Sequence, residues 1–105
     1  MMTPYQTHRD RAIETAGTSY QGDLLVPYQT LVTILGAPLP GDDYKVDAEW
    51  HIRFEDGAVA TIYNWKNGPN YLGEDARLDW VDEWNVGGHD PEVVTRLARV
   101  LSLSR

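Results

Sequence analysis

The chain has 105 residues, enough for one domain with a real core and too few for two. With 42% hydrophobic residues, four tryptophans and no cysteine, it carries more apolar material than a disordered polymer and excludes disulfides, thiolate metal sites and cysteine nucleophiles. The formal charge of −7 is concentrated, because residues 42–92 hold 13 of the 16 carboxylates against four Lys or Arg, and such a field repels nucleic-acid backbones.

Residues 1–16 are polar and can form at most a short helix, so they are expected to be a loosely docked arm on a single domain spanning 17–105. Residues 18–26 begin with β-favouring side chains and read as an edge strand, in which Gly22 signals a bulge or a close approach by another group. Pro27 opens a helix whose Tyr28, Leu31, Val32 and Leu35 share one apolar face, and Gly36 and Pro38 end it. Val26 before it offers no capping oxygen, so packing must hold this helix. Residues 37–43 (APLPGDD) read as a turn-rich connector.

Residues 46–66 form the clearest element, a β-hairpin turning at Asp56-Gly57. Pairing Glu55 with Ala58 places Val46, Ala48, Trp50, Ile52 and Phe54 on a core face together with Val59, Thr61, Tyr63 and Trp65. The reverse face then sets Asp47 opposite Lys66, Glu49 opposite Asn64, His51 opposite Ile62 and Arg53 opposite Ala60. An irregular Asn- and Gly-rich loop follows, broken by Pro69. Residues 80–86 can supply a third central strand, ended by Gly87, Gly88 and His89. Asp90 and Pro91 then cap a terminal helix whose stripe is Val93, Val94, Leu97, Val100 and Leu101. The expected fold is α+β: an antiparallel sheet of about four strands in the order β-α-β-β-β-α, with two helices packed on one face.

Phosphate-loop, dinucleotide, zinc-protease, nucleophile-elbow and calcium-loop signatures are absent, which ranks an enzyme below a binding protein. His8, His51 and His89 are too scattered in sequence for a metal site, and neither metal nor cofactor is expected. Three constellations remain. Glu49 and His51, two apart on one strand of a polar face that also holds Asp47 and Arg53, can support acid/base chemistry. The loop 63–73 joins aromatic planes, amides and a cation, the groups that stack on a base, pair with its edge and neutralise a phosphate. Glycines 87 and 88 precede a helix N-terminus that can receive an anion, although Asp90 and Glu92 favour simple capping there.

The blocks GTSYQG, KVDAEW, FEDGAVATIYNWK, NYLG and WNVGGH, in that order between about Gly17 and Leu101, resemble a group of small, mostly uncharacterised proteins of tailed phages and prophages. Two positions depart from that group, Tyr20 where Leu is more typical and Leu24-Leu25-Val26 where a Ser or Thr helix cap is expected. The resemblance implies phage origin, and short acidic phage proteins often act by binding, either blocking a host defence protein or sequestering a nucleotide signal.

The leading expectation is therefore a non-enzymatic counter-defence protein that sequesters a small nucleotide-like ligand. Gln21, Tyr63, Asn64, Trp65, Lys66, Asn70, Tyr71, Trp84, Asn85 and His89 are the candidate ligand-binding residues, although the hairpin register also assigns Tyr63 and Trp65 to the core. The alternatives are an acidic inhibitor docking on a basic surface of a host protein, and a small hydrolase or lyase using Glu49 and His51. A pocket shared between two subunits of a homo-oligomer fits a chain this small. No apolar run approaches the roughly 20 residues of a membrane span, and residues 1–17 lack a secretory core, so the expected compartment is the cytoplasm, that of the host for a phage protein.

Overall fold

The computed structural model describes residues 5–43 and 45–103. They form β1 (Tyr5–Thr7), β2 (Ser19–Leu25), α1 (Tyr28–Leu35), β3 (Leu39–Asp43), β4 (Val46–Phe54) and β5 (Val59–Tyr63). The one-turn helix α2 (Pro69–Leu72), a 3-10 turn over Leu78–Trp80, β6 (Glu83–Gly88) and α3 (Glu92–Leu103) complete the chain. All strand pairs are antiparallel, in the order β1-β4-β5-β6-β2. Strand β3 shares the outer side of β4 with β1, pairing with its first half while β1 pairs with its second. The α+β class and antiparallel sheet are as expected, but the sheet has six strands rather than four, with three helices rather than two.

Both additional strands come from segments expected to lie outside the sheet. Three residues of the expected arm become β1, and most of the connector becomes β3; residues 1–4 of the arm lie outside the described residues. What recruits them is the unsatisfied edge of β4, whose backbone groups need partners whatever the neighbouring side chains prefer. Pro40 is tolerated in β3 because that strand lies on the margin of the sheet.

The core lies between one face of the sheet and the helices α1 and α3. Trp50, Ile52, Ile62, Trp84 and Val86 from the strands meet Leu31 and Leu35 of α1 and Val93, Leu97 and Leu101 of α3. The Trp50 and Trp84 rings pack edge to face at 5.2 Å between centroids, Tyr28 stacks on Trp84 at 6.1 Å, and Trp50 Nε1 donates to the Gly36 carbonyl at 2.9 Å. That bond ties the end of α1 to the centre of β4. Helix α1 has no side-chain N-cap and is held by this packing, as the sequence implies. At about 25 cal/mol per Å² of apolar surface, each fully buried indole contributes on the order of several kcal/mol.

The expected hairpin register is overturned. Phe54 N–H donates to Ala58 O at 2.8 Å and Gly57 N–H to Phe54 O at 2.9 Å, so the loop has three residues, Glu55, Asp56 and Gly57. Gly57, at φ 92°, takes the left-handed position that closes such loops with a bulge. One extra loop residue slides β5 by one place and reverses every side chain on it. Glu49 therefore faces Tyr63, His51 faces Thr61, and Trp50 faces Ile62. Val59, Thr61 and Tyr63 leave the expected core face, while Ala60 and Ile62 enter it. Arg96 of α3 secures the turn, with Nη1 2.9 Å from Asp56 Oδ2 and its guanidinium 4.1 Å from the Phe54 centroid.

Two further expectations change at the third central strand. Residues 80–82 precede β6 rather than joining it, and Gly87 and Gly88 pair with Thr61 and Ala60 instead of breaking the strand. Glycine is required at 88 by close packing: a Cβ there would lie 2.7 Å from Val93 Cγ2 of α3. Strand β2 is an edge, as expected, with its register shift between Tyr20 and Gly22, and Gly22 also lies under Val94. Asp90 caps α3, its Oδ1 accepting from Glu92 N–H at 2.8 Å. Among the described residues no helix is long and apolar enough to cross a membrane.

Candidate ligand site on the open face of the sheet

The face of the sheet turned away from the helices carries the odd-numbered side chains of β4, β5 and β6. Reading across the strands, one row is His51, Thr61, Gly87 and Tyr20, and the next is Glu49, Tyr63, Asn85 and Asp23. Gly87 leaves a gap in the first row. A Cβ at that position would come within 2.5 Å of Thr61 Oγ1 and 3.5 Å of the Tyr63 ring, so the missing side chain opens the floor of a cavity.

This cavity of about 310 Å³ has Thr61, Tyr63 and Gly87 below it, with Glu49 and Trp65 at its sides. Thr15, Thr18 and Ser19 add hydroxyls from the segment that leads from β1 at one edge of the sheet to β2 at the other. Its size is at the lower end of the range for small-molecule sites. Among the described residues, the one charged side chain lining it is Glu49.

Glu49 is positioned by its neighbour on the same strand face. Its Oε2 lies 2.6 Å from His51 Nε2, a short contact between two partly buried groups. The His51 backbone is in turn anchored by His8, whose N–H donates to His51 O at 3.0 Å and whose Nδ1 accepts from His51 N–H at 3.4 Å. Tyr63 stands directly across from Glu49. Burial and the nearby negative charges of Glu49 and Asp23 push its phenol above the ordinary tyrosine range. Glu49 and Asp23 thus place negative charge beside this ring.

Trp65 follows β5 and is held from behind. Asn85 Oδ1 accepts from Trp65 N–H at 2.9 Å, Asn85 Nδ2 donates to Asp23 Oδ1 at 2.9 Å, and Tyr20 OH donates to Asp23 Oδ2 at 2.8 Å. This relay across β2 and β6 fixes the backbone beneath an exposed indole. Lys45 Nζ lies 5.1 Å from the Trp65 ring centroid.

The ten candidate ligand residues separate into distinct groups. Tyr63 and Trp65 line the cavity, with Asn85 directly behind them. Asn64 is fully buried: its Oδ1 accepts from Asp47 and Ala48 N–H at 2.9 and 3.2 Å, and its Nδ2 donates to Asp47 Oδ2 and Asn67 O at 3.1 and 3.0 Å. Asn70 braces the same corner, donating from its backbone to Asp47 Oδ1 and from its side chain to Val46 O. These two amides are spent on joining the loop to the start of β4. Lys66 takes the left-handed conformation at φ 55° and lays its ammonium 5.5 Å from the Tyr71 ring centroid, and neither lines the cavity.

Trp84 lies in the core, fully buried, with its Nε1 unpartnered. Gln21 donates to Gly88 O at 2.9 Å within the β2 bulge, and exposed His89 lies beside Gly17. Thr15, Thr18, Ser19 and Thr61 were not among the candidates, and Gly87 entered only as part of an anion site before α3. Reading EDG as a three-residue loop would have brought Thr61 and Tyr63 across from His51 and Glu49. No sequence signal marks the threonines of residues 8–18, which reach the site through tertiary folding alone.

No group of three or more metal-ligating side chains occurs among the described residues. The chain matches no family model, no curated protein and no solved structure in the comparisons made.

Proposed function

We propose that this chain is a non-enzymatic binding protein that holds a small organic ligand on the open face of its sheet. The observation that carries the reading is the convergence of Tyr63, Trp65 and the His51-supported carboxylate of Glu49 on one cavity floored by Gly87. Aromatic planes bind the flat or apolar part of a ligand, and the carboxylate and hydroxyls receive its hydrogen-bond donors. The nucleotide-like expectation narrows to the ring and its donors, since no Lys or Arg is among the described residues that line the cavity to neutralise a phosphate. The resemblance to phage-encoded proteins supplies the biological setting of the proposal, sequestration of a host signal in the host cytoplasm.

Calorimetry and thermal-shift measurements against nucleosides, cyclic nucleotides, ADP-ribose-type molecules and small organic amines test this reading. Saturable binding that raises the melting temperature is expected, weakened by Trp65→Ala. A flat response across the panel would remove it.

A second reading is acid/base catalysis by Glu49, favoured by its 2.6 Å contact with His51 at the wall of a cavity rather than on bare surface. In that case a bound compound would be converted over hours, and Glu49→Gln would abolish the conversion. Recovery of unchanged ligand by NMR would return the site to simple binding.

A further inference from the structure

The geometry points to a small alkylammonium ion as the ligand class of the cavity on the open face, held by the Glu49 carboxylate against the Tyr63 and Trp65 rings. This rests on the reading of that cavity as a ligand site and specifies what it recognises. Two features converge on positive charge.

The first is the lining itself. Among the described lining residues Glu49 is the one charged group, and its carboxylate lies on a partly buried wall. The second is the pair of aromatic rings, whose π-faces attract cations and do so most strongly where water is partly excluded. The phenol of Tyr63, raised first by burial and then by the negative charges of Glu49 and Asp23, agrees. Lys45 Nζ lies 5.1 Å from the Trp65 centroid, a like charge at the rim that competes with the ligand for that indole. A phosphate at the same place would meet Glu49 without a counter-charge among the lining residues.

The closing experiment uses the full chain at neutral pH and low salt, with choline, its uncharged isostere 3,3-dimethylbutan-1-ol, adenosine and adenosine monophosphate as probes. Choline is expected to bind saturably, with the isostere weaker by about tenfold. Glu49→Gln, which preserves shape and can still reach His51, should lose about tenfold in choline affinity while keeping the native circular dichroism spectrum. Lys45→Met, which removes a like charge from the rim, should tighten choline binding, a change opposite in sign to that expected for any phosphate-bearing ligand.

Equal binding of choline and its isostere, or choline affinity untouched by Glu49→Gln, overturns recognition of charge. Adenosine binding without choline binding overturns the ammonium class and leaves the ligand site standing. Absence of binding by every probe up to roughly 10 mM, where even a very weak site would be occupied, overturns both.

Discussion

The two faces of one sheet are built by opposite rules. On the covered face, Trp50, Ile52, Ile62 and Trp84 are fully buried against α1 and α3, and their positions are dictated by the need to remove apolar surface from water. On the open face, Glu49, Thr61 and Tyr63 occupy the intervening positions of the same strands and line a shallow cavity, with His51 beside Glu49. The covered face tolerates almost no change in volume, whereas the open face gains its shape from an omission at Gly87. Fold and candidate function thus share a backbone while depending on different chemistry, and substitutions should separate them.

The largest effect belongs to the covered face. Trp50→Ala removes a fully buried indole and orphans the Gly36 carbonyl, and should cost about 3–5 kcal/mol, a large share of the stability of a domain this size. Urea unfolding would measure it, and a loss under about 1 kcal/mol would mean that the two tryptophans are not the centre of the core.

Asn64→Ala comes next. It deletes four hydrogen bonds and leaves the Asp47 and Ala48 amides without their acceptor, for an expected loss of about 2–3 kcal/mol. If Asn64 were a ligand contact instead of a brace, the substitution would change binding and leave the unfolding midpoint in place.

Gly87→Ala sharpens the comparison directly, because the added methyl would press on Thr61 Oγ1 and fill the cavity floor. The threonine can rotate away, so the expected stability cost is modest, about 1–2 kcal/mol, while ligand binding is lost. Unchanged binding in this variant would place the site elsewhere.

The smallest effect is electrostatic. Tyr63 has its pKa raised by burial and by Glu49 and Asp23, so it contributes stability below the ordinary tyrosine pKa near 10 that is lost as pH rises through its elevated folded value. Ultraviolet titration should show two late-ionising phenols, Tyr20 through its hydrogen bond to Asp23 and Tyr63, with the second absent from Tyr63→Phe and moved down towards the ordinary range by Glu49→Gln. A Tyr63 phenol insensitive to Glu49 would deny the negative charge beside this ring.

Much of the covered face was legible in the residues themselves. The i, i+3, i+4, i+7 spacing of Tyr28, Leu31, Val32 and Leu35 marks α1, and the Asp90 cap with the stripe from Val93 to Leu101 marks α3. Alternation in β4 correctly places Ala48, Trp50, Ile52 and Phe54 inward. In β5 the pattern VATIY offers apolar residues on either phase, Val59 and Tyr63 or Ala60 and Ile62, so composition leaves the register open. The turn decides it, and a single residue more in the loop exchanges Thr61 and Tyr63 between core and site.

By itself the sequence determined the α+β class, the antiparallel hairpin, both packed helices and the acidic charge, because periodicity, capping and charge are local properties. Tertiary structure alone decided that β1 and β3 complete the margin of β4, since edge pairing answers to a neighbour's unsatisfied backbone. It also decided the site. The cavity joins residues from 15 to 87 in the chain, and its floor is made by a glycine whose importance lies in what its neighbours would strike.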